Sequence, residues 1–208
     1  GEYDQFDKRY IIAPEFNRRT TQGKADEAAF LAEVAHDNKI VLTFEDNKQL
    51  QAMRESCFAH PVIRQLLEMD GHAEASIFWQ DEETGEMCKI RPDKFIQMND
   101  HHIIIDYKSI GMFEQMARSV EERRYHVQDA MYSDGYQKHF GVAPDFYFIF
   151  CSTSLNCGRY PATCRQLPAD WKQSGYQLYR DALNKYHQAK TNNDWLTIPE
   201  LTRPRWAK

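Results

Sequence analysis

The chain has 208 residues and a mass of 24.6 kDa, a size at which one domain with a substantial hydrophobic core is expected. Hydrophobic residues make up 42% of the sequence and aromatic residues 13%, which excludes a disordered chain. The formal net charge is −5, so bulk charge gives no support for nucleic-acid binding.

Targeting and redox signals are weak in this sequence. No apolar run approaches the length of a membrane span, and residues 1–10 are too polar for a signal peptide. We therefore expect a soluble cytoplasmic protein that does not contact a membrane. The five cysteines contain no Cys-x-x-Cys pair and are predicted to be reduced packing residues; they are Cys57, Cys88, Cys151, Cys157 and Cys164.

The N-terminal third is predicted to be mainly helical. Apolar residues recur at helical spacing in 24–36 and 46–59, and a short extended piece at 40–44 separates the two helices. Thr43 is the expected N-cap of the second helix, and a third short helix is predicted at 61–69.

The middle of the chain is predicted to be a three-stranded meander within residues 73–108. Strand-like runs cover 75–79 and 87–91, and a turn at 99–100 precedes a third strand. That strand contains three successive isoleucines at 103–105, a pattern typical of a strand buried on both faces.

The last part of the chain alternates helical and extended patterns. A long helix is predicted at 112–139, followed by a buried strand at 146–150 and a further strand within 159–166. A final helix at 169–190 leads into an irregular tail. No repeat or interdomain linker is visible, so residues 1–208 are predicted to form a single domain.

The most informative motif follows the isoleucines. In an extended strand Asp106 and Lys108 project from one face and Tyr107 from the other, and Asp93 follows Pro92 upstream. Two carboxylates suit Mg²⁺, with Mn²⁺ as the alternative, while an ammonium group suits a water or a phosphate oxygen. This is the spacing of a PD-(D/E)xK nuclease site.

Taken alone, such a short motif is more often a surface ion pair at the end of a strand. The surrounding turns change this interpretation, because the predicted meander brings four side chains together from neighbouring strands. These side chains are Glu74, Asp93, Asp106 and Lys108.

A stripe of polar and aromatic residues follows on the predicted long helix. Tyr125, Gln128, Tyr132 and Tyr136 recur at offsets of three and four, which places them on one face. Such a stripe usually packs against a sheet. Gln128 is the exception, since a buried amide needs hydrogen-bond partners; we expect Tyr125 and Gln128 to contact the lysine, a water or a phosphate.

With these motifs the chain resembles, over nearly its whole length, the RecE-type exonuclease VIII family of phage and prophage recombination nucleases. The resemblance implies an α/β (α+β) fold of the lambda-exonuclease type, with a mixed central sheet flanked by helices. It rests on ordered matches at Ile12-Ala13-Pro14, Asn17-Arg18-Arg19-Thr20, Gly23-Lys24-Ala25, Gly71-His72-Ala73-Glu74, Arg91-Pro92-Asp93-Lys94, Asp106-Tyr107-Lys108, Tyr125-His126-Val127-Gln128-Asp129-Ala130 and Pro204-Arg205-Trp206-Ala207-Lys208.

The resemblance also implies roles for individual residues. Asp93 and Asp106 become metal ligands together with the backbone carbonyl of Tyr107, and Glu74 occupies the position of an additional acid. Lys108 becomes the residue that orients the attacking water. Tyr125 and Gln128 match the family's Tyr-x-x-Gln element, whereas Arg18, Arg19 and Lys24 are candidates for gripping the DNA end.

The implied activity is Mg²⁺-dependent degradation of the 5′-ended strand of linear double-stranded DNA. This leaves a 3′ single strand for an annealing protein, and a ring-shaped homo-oligomer encoded by a bacterium, phage or prophage is expected. Two alternatives remain open: an endonuclease of the same fold and a non-catalytic DNA-binding module.

One departure from the family favours the second alternative. The family's metal-binding histidine lies in a Gly-x-x-x-His helix ahead of the segment that matches 6–14, and no histidine here matches it. We expect either that the sequence is a fragment or that one metal site is incomplete.

Overall fold

The computed structural model describes residues 3–196 and 201–203, with side chains from Phe6 onward. The motif at residues 204–208 therefore lies outside the described residues. The helices are α1 Tyr3–Arg9, α2 Thr21–Val34, α3 Phe44–Ala59, α4 Pro61–Glu68, α5 Met116–Glu122, α6 Tyr125–Phe140 and α7 Ala169–Asn192. The strands are β1 Tyr10–Ile12, β2 Ile40–Leu42, β3 His72–Ala73, β4 Ile77–Gln80, β5 Met87–Ile90, β6 Lys94–Met98, β7 His101–Ile110, β8 Asp145–Ser152 and β9 Ala162–Arg165.

The central sheet has five strands in the order β3-β6-β7-β8-β9. It is mixed, because β7 and β8 run parallel while the other neighbouring strands are antiparallel. The isoleucines of β7 are all buried, as their continuous apolar run predicts for a strand covered on both faces. The expected mixed sheet with flanking helices is thus confirmed.

The two faces of the sheet are covered by different helices. On one face Phe146, Phe148 and Phe150 form a core with residues of α6 and of the β4–β5 pair. On the other face Ile149 and Cys151 pack with buried residues of α3 and α4. This follows from the period of two along β8, which sends alternate side chains to opposite sides.

The N-terminal helices agree with the expectations in type. Helix α3 begins after Thr43, whose hydroxyl accepts from the Asp46 amide in a capping box, so the predicted cap is confirmed. Helix α2 begins at Thr21, three residues earlier than predicted, because Thr20 caps it. Strands β1 and β2 form a separate parallel pair.

The predicted three-stranded meander is wrong. Strands β4 and β5 form an antiparallel hairpin outside the central sheet, whereas β6, which was not predicted, pairs with β7. The hairpin is held on α6 and α7 by the buried carboxylate of Asp81, which binds Arg180 and Lys138. The predicted turn at Asn99 and Asp100 does join β6 to β7, and Asn99 adopts a positive φ of 47°.

The predicted long helix at 112–139 is also wrong as one element. A 3₁₀ turn at Phe113–Gln115 leads into α5, and α6 begins only at Tyr125. Arg124 lies between the two helices in the left-handed region, at φ 57°. Glycine or proline normally signals such a break, and neither is present here.

The cysteines differ in their surroundings. Cys57, Cys88 and Cys151 are buried, Cys164 is half-buried and Cys157 is exposed, so Cys157 is not the packing residue that was predicted. No helix among the described residues is long and apolar enough to cross a membrane.

Gly175 allows α7 to approach α6 closely. A Cβ atom built at this position would lie 2.1 Å from the backbone carbonyl oxygen of His126, a distance that real contacts do not reach. The close approach brings Tyr179 of α7 within hydrogen-bonding distance of Asp134 on α6.

We expect Gly175→Ala to lower the free energy of unfolding by about 1 kcal/mol. The helix preference for alanine favours the variant by about 1 kcal/mol, but overpacking against backbone costs more, typically about 1–3 kcal/mol. Urea denaturation measures the change, with Gly111→Ala as a control because the space around Gly111 is open. An unchanged or higher unfolding free energy would contradict this packing.

Asp129 is a carboxyl group buried between α6 and α7, with an exposed fraction of 1%. Its Oδ1 accepts from Ser133, its Oδ2 has no hydrogen-bond partner, and the ammonium of Lys172 lies 3.9 Å away. Burial raises the pKa of Asp129 to about 6, against the opposing effect of Lys172.

Because its pKa is higher in the folded protein than in the unfolded chain, Asp129 binds a proton more tightly on folding. Its ionisation therefore lowers stability progressively from about pH 4 to about pH 6, and the full loss persists above that range. We expect Asp129→Asn to raise the free energy of unfolding at pH 8 by on the order of 2 kcal/mol and to change it little at pH 4. Denaturation at both pH values tests this, and an equal difference at both would contradict it.

Candidate active site

Asp93 lies immediately before β6, and contacts on both sides hold its backbone. The carbonyl of Asp93 accepts from the amide of Glu74 at 3.1 Å. The next residue, Lys94, donates from Nζ to three carbonyl oxygens at the end of α4, those of Leu66, Leu67 and Met69, at 3.1, 2.8 and 2.5 Å. Lys94 thus fixes the start of β6, and with it Asp93, against α4.

The side chain of Asp93 reaches the neighbouring strand. Its Oδ2 accepts from the backbone amide of Tyr107 at 2.7 Å. Since Tyr107 stands between Asp106 and Lys108, this bond places the Asp93 carboxylate beside the Asp-x-Lys motif. The structure therefore brings together the acids that sequence analysis paired.

Asp106 and Lys108 lie on the same face of β7, as their spacing predicted. Asp106 is only 2% exposed, and its Oδ2 forms an ion pair with Nζ of Lys108. Its Oδ1 accepts from Nε2 of Gln128 at 2.6 Å. The amide on α6 and the ammonium on β7 thus hold the two oxygens of one buried carboxylate.

The electrostatics of the Asp106 carboxylate would favour a cation beside it. Burial raises the pKa of Asp106, Lys108 and Gln128 oppose that shift, and the charge of Asp93 adds to it. Oδ2 is buried and has no hydrogen-bond partner apart from the ion pair with Lys108. Two neighbouring carboxylates in a poorly solvated site repel each other, and a cation between them would relieve that repulsion.

The donor atoms suit a small hard cation. Carboxylate oxygens of Asp93 and Asp106 and the carbonyl of Tyr107 are oxygen ligands, and Mg²⁺ characteristically combines one or two carboxylates with waters and substrate phosphate. Within 3–196 and 201–203, no group of three or more acidic, histidine or cysteine side chains is arranged to hold a metal. Any ion here would therefore depend on water or substrate for most of its ligands.

The aromatic ring of Tyr125 contacts the ammonium group of Lys108. Nζ of Lys108 lies 4.7 Å from the centre of the Tyr125 ring, a cation–π geometry. The ring itself is buried and packs against Phe148 at a centroid distance of 6.0 Å. Tyr125 therefore contacts the lysine, as expected, although through its ring face and not by a hydrogen bond.

The rest of the predicted stripe has a packing role. Tyr136 is fully buried, and its hydroxyl lies 3.0 Å from Nδ1 of His102. Tyr132 packs against Phe146. Tyr125 and Gln128 at the start of α6 thus contact the candidate site, whereas Tyr132 and Tyr136 further along the helix pack in the hydrophobic core.

Glu74 lies near the site, but its carboxylate forms an ion pair with Arg91. It has a positive φ of 51° directly after β3, and its Oε2 pairs with Nε of Arg91 at 2.9 Å. Arg91 was not predicted as this partner, although it belongs to the same Arg-Pro-Asp-Lys motif as Asp93. The backbone amide of Glu74 thus contacts Asp93, whereas the carboxylate of Glu74 pairs with Arg91.

The Tyr107 side chain points away from the two acids. Its phenol lies beside the thiols of Cys57 and Cys151 on the opposite face of the sheet, and burial raises its pKa. Only its backbone is available to the site, which is compatible with the carbonyl ligand that the family resemblance implied.

The basic residues predicted to grip DNA lie in a different part of the chain, in and just before α2. The guanidinium of Arg18 is held by Glu27, with Nε 3.0 Å and Nη2 2.5 Å from Oε1. Arg19 and Lys24 are exposed. Arg18 is therefore partly neutralised, whereas Arg19 and Lys24 stay candidates.

The chain is similar to known proteins in sequence and in fold. Residues 3–199 match the model of a family described as a PDDEXK-like domain of unknown function. A search of curated protein sequences gives no match.

Two solved structures match this chain, and the first of them is similar in fold. One, from Eubacterium rectale, is described as a "putative exonuclease"; it is 12% identical, has a TM-score of 0.57, and the alignment covers 87% of this chain and 71% of that one. The other is the structure of SSO0001, at 14% identity and a TM-score of 0.38, with 97% and 92% of the two chains covered.

We expect Asp93→Asn to weaken the binding of Mn²⁺, because the variant loses the negative charge of one of the two carboxylates. Glu74→Gln is the matched control, since the Glu74 carboxylate already pairs with Arg91. Calorimetric titration with Mn²⁺ should show a loss of affinity of at least tenfold for Asp93→Asn and little change for Glu74→Gln. Unchanged binding by Asp93→Asn would remove Asp93 from the ligand set.

Proposed function

We propose, because this chain belongs to the family of PDDEXK-like domains, that it is a metal-dependent nuclease acting on linear double-stranded DNA. The membership confirms the PD-(D/E)xK superfamily and the fold class predicted from the sequence. The single observation that carries the proposal is the buried Asp106 carboxylate, held by Lys108 and Gln128 beside Asp93.

The residues divide the chemistry of phosphodiester hydrolysis among themselves. Asp93, Asp106 and the Tyr107 carbonyl would hold Mg²⁺ or Mn²⁺, which would supply Lewis-acid chemistry and positive charge at the scissile phosphate. Lys108 lies at the same carboxylate and presents an ammonium that can orient the attacking water or bind a phosphate oxygen.

Gln128 and Tyr125 hold Asp106 and Lys108 in position. The Gln128 amide fixes the orientation of the Asp106 carboxylate through its bond to Oδ1. The Tyr125 ring stabilises the ammonium of Lys108 at a defined position. Because both residues are on α6, the position of that helix sets the geometry of the acid and the lysine together.

The finer proposal is an exonuclease that degrades the 5′-ended strand and leaves a 3′ overhang for a single-strand annealing protein. The RecE-type motifs of the sequence support it, and so does the description of the Eubacterium rectale protein as a "putative exonuclease". In this proposal Arg19 and Lys24, with Arg18, contact the DNA end, and a ring-shaped homo-oligomer surrounds the duplex.

We expect Lys108→Ala to reduce hydrolysis of linear duplex by on the order of 10²-fold or more, because it removes the charge that positions water or phosphate. The assay follows release of nucleotides from 5′-phosphorylated linear DNA in Mg²⁺. Lys89→Ala is the control, since Lys89 lies over Phe78 on the exposed face of the β4–β5 hairpin.

Covalently closed circular DNA completes the assay. An exonuclease leaves the circle intact, whereas cutting of the circle would identify an endonuclease of the same fold. Binding of linear DNA without any nucleotide release would identify a non-catalytic module. Cleavage by Lys108→Ala at the parental rate would remove Lys108 from its proposed role.

A further inference from the structure

The break between α5 and α6 carries two arginines next to the candidate active site. Arg123 closes α5 and Arg124 precedes α6 with a left-handed backbone. Both side chains are exposed. Tyr125 follows immediately, so the break connects directly to the residue on which Lys108 rests.

Arg123 is joined to the site through Tyr125. Its Nη1 donates to the Tyr125 hydroxyl at 3.4 Å, and the Lys108 ammonium lies 4.7 Å from the centre of the same tyrosine's ring. The Arg123 guanidinium thus contacts the hydroxyl of Tyr125, and the Lys108 ammonium contacts the ring of the same residue. A DNA strand carries one phosphate per about 3.4 Å of helix axis, so a strand bound at Lys108 has further phosphates close to the site.

The charge of Arg123 is not compensated by the acids closest to it in sequence. Glu122 is bound by Arg118 at 2.6 Å, and Glu121 lies 4.0 Å from Nε2 of His126. Among the described residues no carboxylate forms an ion pair with Arg123, whose one hydrogen-bond acceptor there is the neutral hydroxyl of Tyr125. A guanidinium in this state retains its charge and several N–H donors for a ligand.

The guanidinium of Arg123 and its position beside the candidate active site indicate what kind of ligand it binds. A guanidinium presents planar paired donors that match phosphate oxygens. We propose that Arg123 binds a backbone phosphate of the DNA strand, next to the phosphate that is hydrolysed at Lys108. The inference rests on the proposed nuclease function and makes Arg123 a positioning residue for its substrate.

Arg118 differs from Arg123 in one useful respect. It belongs to the same short region and is highly exposed, but its guanidinium is paired with Glu122 along α5. A change of either arginine to glutamine removes one positive charge. The two variants therefore separate a specific phosphate contact from a general effect of charge on DNA binding.

The test compares Arg123→Gln, Arg123→Lys and Arg118→Gln for binding to linear duplex by fluorescence anisotropy at several salt concentrations. Arg123→Gln should bind roughly tenfold more weakly, as expected for the loss of a charged hydrogen bond. The slope of log affinity against log salt should become shallower by about one. Arg123→Lys should restore that slope, and Arg118→Gln should behave like the parental protein.

Cleavage kinetics provide the second measurement. Arg123→Gln should raise KM for linear duplex with a smaller change in kcat, while melting temperatures confirm that the variants fold. A parental salt slope and KM for Arg123→Gln, or equal losses in Arg118→Gln, would overturn the proposal.

The outcome for Arg123 is separable from the outcome for the nuclease function. If the parental protein binds DNA through Arg123 without cleaving it, the nuclease proposal fails and the phosphate contact stands. If the parental protein cleaves DNA and Arg123→Gln is indistinguishable from it, only the contact at Arg123 fails.

Discussion

The burial of one negative charge, that of Asp106, determines much of the arrangement around it. A carboxylate removed from water must be neutralised or hydrogen-bonded, because its desolvation is otherwise costly. Here Lys108 on the same strand and Gln128 on α6 meet that need. The site therefore links the sheet to the helix that covers it, and the chemistry of the site and the packing of the fold share the same contacts.

The support extends outward from that carboxylate. The Lys108 ammonium rests on Tyr125, which packs against the phenylalanines of β8, and Asp93 is held through the contacts of Lys94 with α4. Elements on both faces of the sheet thus fix the two acids. A candidate site built in this way depends on rigid secondary structure more than on loops.

Local signals in the sequence predicted the parts of this arrangement that depend on near neighbours. The capping of α3 by Thr43, the buried isoleucine strand and the common face of Asp106 and Lys108 all follow from short-range chemistry. The separate β4–β5 hairpin was not predictable, because its anchor joins Asp81 to Arg180, 99 residues away. The break at Arg124 was missed for a related reason: a non-glycine residue adopts the left-handed conformation there without any sequence signal.

The alternation along β7 makes the two-residue turn of Asn99 and Asp100 a constraint on evolution. Side chains exchange faces when a strand slips by one residue, so an insertion in this turn that shifted β7 by one residue would move Tyr107 to the face that Asp106 and Lys108 occupy. Asp106 and Lys108 would then face the thiols behind the sheet. Surface loops generally tolerate insertions, whereas the length of this turn is coupled to which side chains face α6.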